Sequence, residues 1–286
     1  MKRSGNFVNS GLLRTIFLIT AVFVISIGFS AASDAATTKS GSKTAKKTTA
    51  AKKPAAKKTQ SKTDEVSNSI GDSLRKGKSV FVYFYSTEIT DSLDQLDAVK
   101  KVAKKGNADV VTVKTEDAAA PYNAYDGQYI PTVLLLRPEA GLTNYWEMDL
   151  PEDEMTSAVE SKAKPNDKQK QLAEAIKNKK PALLFFMAKW CGYCQKLLPE
   201  VKSFEKDYGK CVDAVTVDVD DALDMQEPYM INGVPILVLF DANGFARLRT
   251  GYPNGYDRYK QVFEGMSETT KSCMKASKSE KSGDQT

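Results

Sequence analysis

Short apolar runs and longer amphipathic stretches alternate along the chain from residue 66 onward. Val80–Tyr85, Val110–Lys114, Ala182–Ala188 and Val212–Val219 have the length and composition of strands. Ser92–Lys105, Glu152–Lys162, Lys168–Asn178, Cys194–Tyr208 and Asp257–Met274 place apolar residues at helical spacing, and a short helix is expected at Ala222–Glu227. Ile236–Phe240 and Phe245–Arg249 read as a hairpin across Asp241-Ala242-Asn243-Gly244. The order repeats. Ile130-Pro131-Thr132-Val133-Leu134-Leu135-Leu136 mirrors Val234-Pro235-Ile236-Leu237-Val238-Leu239, and each is followed by a turn. The pattern predicts an α/β chain built from two copies of one unit, each a central mixed β-sheet flanked by helices. The boundary falls at Ala163-Lys164-Pro165-Asn166.

The first residues follow another pattern. Lys2, Arg3 and Arg14 precede the apolar run Ile16–Phe29, and Ser30-Ala31-Ala32 supplies the small residues of a cleavage site. Thr15–Ala32 carries no charge and is just long enough to span a bilayer, so residues 1–32 fit both a cleaved signal peptide and a retained membrane anchor through 15–32. Export is expected either way, to a periplasmic or other extracytoplasmic location. Residues 33–65 are almost entirely Ala, Lys, Thr, Ser and Gly, and are expected to be a disordered basic linker. Twelve Lys or Arg stand against the single acid Asp34 in residues 1–63, although the whole chain carries only +5. The remainder is therefore acidic, and behind an export signal the basic stretch reads as a tether rather than a nucleic-acid site. The expected map is 1–32 signal or anchor, 33–65 linker, 66–164 first domain without cysteines, 165–276 second domain, and 277–286 disordered tail.

The chain has no histidine, which removes Cys-His and Ser-His catalysis and histidine-ligated metal sites. Its chemistry concentrates in Trp190-Cys191-Gly192-Tyr193-Cys194, placed where a buried strand ends and a helix begins. At a helix N-terminus the unpaired N–H groups and the helix dipole favour a thiolate, so Cys191 is expected to ionise below the free value of about 8.5. Cys194, one turn on, can close a disulfide with it. A zinc site would need Cys211 and Cys273 as further ligands without the usual paired spacing, so neither metal nor cofactor is expected. In an oxidising compartment Cys211 and Cys273 are expected to form a structural disulfide that fastens the last helix.

The second half resembles the thioredoxin-like superfamily on three features in order: Trp190-Cys191-Gly192-Tyr193-Cys194 with Pro199 behind it, Val234-Pro235 opening a strand, and Gly251 after the hairpin. The resemblance implies Cys191 as nucleophile, Cys194 as resolving thiol, and Pro235 as a cis-proline that leaves the Val234 backbone free to pair with an extended substrate. Trp190, Tyr193 and Gly251 would complete the substrate surface. Two positions depart from the family. Its buried acid in the central strand is replaced by Phe185, and the accompanying lysine by Thr216. Gly192-Tyr193 is similar to periplasmic disulfide isomerases, which usually carry Thr where Val234 stands. The first half resembles the same fold with Glu88 and Asp91 in place of the cysteines and only Pro131 retained; it is expected to bind substrate or partner, mediate dimerisation, or serve stability alone.

Together these expectations describe an exported reductase or isomerase of protein disulfides. Its partners would be proteins bearing disulfides or thiols and a membrane or periplasmic electron donor, with no nucleic acid. The alternatives are a non-catalytic envelope-tethered scaffold and a dedicated reductase of cytochrome c maturation. The latter lacks its usual insertion here, between Val219 and Val234.

Overall fold

The computed structural model describes residues 54–252, 256–266, 270 and 273. The expected signal or anchor (1–32), residues 33–53 of the linker and the tail (277–286) lie outside them. Among the described residues no helix is long and apolar enough to cross a membrane.

Two four-stranded mixed sheets flanked by helices form the fold. The first contains β1 (Val80–Tyr85), β2 (Asp109–Lys114), β3 (Thr132–Arg137) and β4 (Gly141–Glu147) in the order β2-β1-β3-β4. The second contains β5 (Ala182–Met187), β6 (Asp213–Asp218), β7 (Ile236–Phe240) and β8 (Ala246–Gly251) in the order β6-β5-β7-β8. In each, the first pair is parallel and the other two are antiparallel. Both hairpins shift register, between Leu135 and Leu136 and between Leu239 and Phe240. Ile130–Pro131 and Val234–Pro235 are both cis. The continuous apolar runs of β1 and β5 follow from position, because a central strand with covered faces has no solvent side to make polar.

The helices are α1 (Pro54–Arg75), α2 (Asp91–Asp94), α3 (Leu96–Lys105), α4 (Ala119–Ala124), α5 (Glu152–Glu160), α6 (Asp167–Lys177), α7 (Gly192–Tyr208) and α8 (Tyr256–Gly265). Asn166 caps α6: its side chain accepts from the Lys168 and Gln169 N–H groups, and Gln169 returns a bond to the Asn166 N–H. Leu223–Met225 forms a single 3-10 turn where a short helix was expected. The expected helix from Ser92 to Lys105 is broken at Gln95 into α2 and α3.

The linker expectation is corrected at its C-terminal end, since α1 covers residues 54–65. Composition misled because the face that α1 buries is largely polar. Thr63, Ser67 and Ser73 lie inside with Ile70 and Leu74. Two of these hydroxyls meet tertiary partners: Ser67 donates to Asp241 at 2.7 Å and Ser73 to Asp109 at 2.6 Å. A buried hydroxyl with a carboxylate acceptor avoids the desolvation cost that would otherwise exclude it.

The two sheets share one core. Val80, Val82, Phe84, Leu134 and Leu136, on one face of the first sheet, belong to the same apolar cluster as β5 and β7. The opposite face, with Phe81, Tyr83, Val133, Leu135 and Trp146, closes separately over Val99, Val102, Met155 and Val159. Tyr125, just after α4, accepts a hydrogen bond from the Ala246 N–H of β8 at 2.9 Å, and the Phe84 and Phe245 rings stack at 6.4 Å. Asp241, in the β7–β8 turn, accepts from Ser67 and Arg247, and Arg247 also pairs with Asp64 at 2.9 Å. The turn of the second domain is thereby fastened to α1.

Gly71 lies against this turn. A Cβ there would sit 2.2 Å from Asn243 Oδ1 and 2.6 Å from its Cβ. Gly71→Ala is expected to cost about 1–3 kcal/mol despite the better helix propensity of alanine. Urea midpoints read by the buried Trp146 of the first sheet and by far-UV circular dichroism should fall together; a midpoint at or above wild type would contradict the shared core.

Candidate redox site

The end of β5 delivers the chain to the N-terminus of α7, and Cys191 is the residue that caps this helix. Its backbone N–H donates to Ala188 O at 3.1 Å, and its Sγ accepts from the Cys194 N–H at 3.1 Å. Cys191 and Cys194 are joined as a disulfide with Cα atoms 5.2 Å apart. Both sulfur-bearing residues are largely enclosed: Cys191 is 6% exposed and Cys194 is 0%. Gly192, between the two cysteines, has nothing within 4 Å of its Cβ position.

The other residues singled out in the sequence gather around this pair. Cys191 Sγ lies 3.6 Å from the Val234 carbonyl oxygen, across the loop that ends in Pro235. Gly251 is opposite Ile236, and a Cβ there would approach the Pro235 carbonyl to 2.9 Å, so a side chain would push against the Val234–Pro235 loop. Trp190 is 72% exposed, and its indole N–H donates to Asp220 Oδ2 at 2.9 Å. That exposure disposes of core packing as its role. Tyr193 is exposed too and meets the Tyr252 ring with centroids 4.9 Å apart, while Lys196 Nζ lies 5.3 Å from the Tyr193 ring centre. Lys189 pairs with Asp218 at 3.4 Å and Asp221 at 3.5 Å, and the Asp218 hydrogen bond leads the contacts that hold its ammonium above its ordinary pKa. Pro199 lies inside α7, where its missing N–H leaves the Gln195 carbonyl without a helical donor.

Phe185 and Thr216 are register partners on β5 and β6. The two departures from the family pattern are thus neighbours in space, and Phe185 is fully buried. Sequence reasoning missed Asp220 and Tyr252. An aspartate run and a lone tyrosine carry no spacing signal; only the fold brings them beside Trp190 and Tyr193.

Cys211 and Cys273 are joined as a second disulfide, Cα atoms 5.8 Å apart, 62 residues from one another in sequence. It lies apart from the exchange chemistry, tying the start of β6 to the C-terminal helical residues.

In the first domain the equivalent positions are one residue further along than expected. Phe84 is opposite Thr132 as Phe186 is opposite Ile236, so counting equally past the two strands sets Ile89 and Ser92, not Glu88 and Asp91, at the places of Cys191 and Cys194. The sequence alone could not fix the strand ends to one residue. Ser92 is buried, and its hydroxyl donates within the loop to Ser86 O and Ile89 O. Glu116 Oε1 accepts from Ser86 Oγ at 2.7 Å and from the Thr87 N–H at 3.1 Å. The Ser86 hydrogen bond is the largest of the contacts that hold its carboxyl down at about 2. A hydrogen-bonded hydroxyl, that of Ser92, stands at the place of Cys194, and Ile89 at the place of Cys191.

Comparison with known proteins agrees with this geometry. Residues 164–256 match the family model described as Thioredoxin. The thiol:disulfide interchange protein TxlA homolog of Synechocystis sp. is 35% identical over 77 residues, which are 26% of this chain and 43% of that protein. The match thus spans less than half the length of that relative. Thioredoxin-like protein slr1139 of the same organism is 33% identical over 72 residues, covering 25% of this chain and 66% of that one. Among solved structures, a mutant thioredoxin from Halobacterium salinarum NRC-1 is 28% identical, covering 33% of this chain and 81% of that one, with a TM-score of 0.30. A redox-capable cysteine pair on a mixed sheet with helices on its faces defines the class, and residues 164–256 are similar to thioredoxins and to thiol:disulfide interchange proteins.

Two measurements test the roles of the groups outside the Cys191 pair. Because Glu116 has its lower pKa in the folded state, its contribution to stability is complete above the unfolded value of 4.5 and is lost as pH falls through about 2. NMR titration should place Glu116 near 2 in wild type, and Ser86→Ala should move it up; no movement would exclude Ser86 as the cause. Replacing both Cys211 and Cys273 by Ser should cost about 2–4 kcal/mol in denaturant unfolding, for a loop of this length, while Cys191 reacts with disulfides as before.

Proposed function

We propose that this protein is a thiol–disulfide oxidoreductase that reduces or isomerises disulfides of exported proteins. The observation that carries the reading is Cys191 at the N-terminus of α7 with its sulfur 3.6 Å from the Val234 carbonyl. A polypeptide lying extended along Val234 would bring its own sulfur to Cys191, with pairing between main chains holding it in line. Relatives named as a thiol:disulfide interchange protein and as a protein disulfide-isomerase support the same chemistry.

In the reduced protein the Cys191 thiolate attacks one sulfur of a substrate disulfide. A mixed disulfide forms, and the other substrate sulfur leaves as a thiolate that takes a proton from water. Cys194 then loses its proton and attacks the Cys191 sulfur. The remaining substrate sulfur leaves, and the Cys191–Cys194 disulfide is produced. Two electrons have passed to the substrate, and an external dithiol restores them. When a second substrate thiolate displaces Cys191 instead, the substrate disulfide is isomerised and no net electrons move.

The residues permit most of this and shape one step. Helix-terminal N–H groups stabilise the attacking and leaving thiolate of Cys191. With Phe185 on the inner strand β5 and Thr216 beside it on β6, neither position offers a carboxylate to take the Cys194 proton, so that proton leaves to water. The N-terminal charge and apolar pattern of residues 1–32 supports export, with a membrane or periplasmic dithiol as electron donor and residues 15–32 as a candidate anchor.

Insulin reduction driven by an external dithiol should be catalysed by wild type and fall to background in Cys191→Ser; equal rates would sink the proposal. The reduction potential of the pair should lie between about −270 and −180 mV, whereas a value near −120 mV would mark an oxidant.

A further inference from the structure

The cleft beside Cys191 is not built by the second domain alone. Its volume is about 710 Å³, and its lining includes Tyr193, Tyr252, Met230, Val234 and Arg249 together with one residue of the first domain, Asp126. Asp126 follows α4 in the loop that leads to Pro131, with φ of 61°. The loop holds it there: its N–H donates to Asn123 O at 3.0 Å, and its carbonyl accepts from Gln128 Nε2 at 3.1 Å. The α4 segment before it packs on β8, with the Tyr125 hydroxyl bonded to Ala246.

The two charged groups of the cleft are unequal in what they offer. The Arg249 guanidinium is committed to main-chain carbonyls, donating to Tyr229 O at 2.8 Å and Met230 O at 2.6 Å, and its side chain is only 11% exposed. Asp126 is 37% exposed, and its carboxylate lies 3.7 Å from Arg249 Nη2, too far for a hydrogen bond. No side chain or N–H among the described residues donates to it. The cleft therefore shows a visitor a carboxylate with free acceptor sites, and Tyr193 and Tyr252 line the same cleft.

We propose that Asp126 is a specificity-determining residue of the redox site: it selects extended polypeptides that carry lysine or arginine within a few residues of the cysteine undergoing exchange. The cysteine-free domain is thus one wall of the substrate site. An extended segment advances about 3.3 Å per residue, so a cation within three residues of the reacting cysteine can span the cleft while its sulfur meets Cys191. The inference rests on the thiol–disulfide reading above.

The test uses the full chain and pairs of short peptide disulfides, identical but for Lys or Glu at one of the three positions on either side of the cysteine. At one position or more, wild type should exchange the Lys peptide roughly two- to fivefold faster in kcat/KM, the size expected of a single half-exposed charge pair, and the preference should shrink in high salt. Asp126→Asn is the informative variant, because asparagine keeps the size of the side chain and tolerates the left-handed backbone. It should bring the ratio to about one with unchanged reduction potential. Cysteine-free versions of the same peptides, titrated by NMR into the oxidised protein, should show the same order of binding and the same loss. Equal handling of both peptides by wild type, or a preference that survives Asp126→Asn, overturns the inference. If the binding preference holds but neither peptide is exchanged, the oxidoreductase reading fails and the inference about Asp126 as a selective contact stands.

Discussion

Everything at the redox site depends on how one apolar face of the first sheet is covered. Val82, Phe84 and Leu134 join the same buried cluster as Leu184, Phe186 and Leu239 of the second sheet. Burying such side chains against one another contributes on the order of 1.5–3 kcal/mol each, so together they outweigh the few polar contacts between the halves. The polar contacts then fix direction. Asp241 gathers Ser67 and Arg247 at the β7–β8 turn, and Tyr125 meets the Ala246 N–H beside it. With position and direction both set, the loop that carries Asp126 reaches the cleft beside Cys191.

The site itself separates two tasks that related domains combine. Activation of Cys191 is local, because the helix N-terminus and the Cys194 N–H are supplied by the same turn that carries the cysteines. The positions at which related domains carry an acid and a lysine are not local to that turn, since they belong to β5 and β6. There Phe185, fully buried, is the register partner of half-buried Thr216. Cys194 itself is fully buried. The first domain carries the change further, with Ile89 and Ser92 at the places of the thiol pair and the Ser92 hydroxyl bonded to Ser86 O.

Much of this was legible in the residues. The strand at Val80–Tyr85, the hairpin opening at Ile236 and the repeated order of elements follow from apolar runs and turn residues, which act over a few positions. Cys191, Cys194, Val234, Pro235 and Gly251 were legible as candidates because their spacing reflects one short turn and one strand end. Helix α1 was not, since its inward face is built from Thr63, Ser67 and Ser73, and the burial of the two serines makes sense only once Asp241 and Asp109 are beside them. The break at Gln95 was hidden for a similar reason: its side chain accepts from the Leu150 N–H at 3.1 Å, a partner far along the chain.

The sequence by itself determined the two α/β units, the thiol pair at a helix start and the loss of chemistry from the first unit, because periodicity, helix capping and residue type are properties of neighbours in the chain. Tertiary structure decided the rest. It set Ile89 and Ser92, rather than Glu88 and Asp91, at the silent positions; it turned two repeats into one body; and it brought Asp126 to the cleft of Cys191. Those outcomes depend on strand register and on contacts between residues more than a hundred positions apart, which no local pattern encodes.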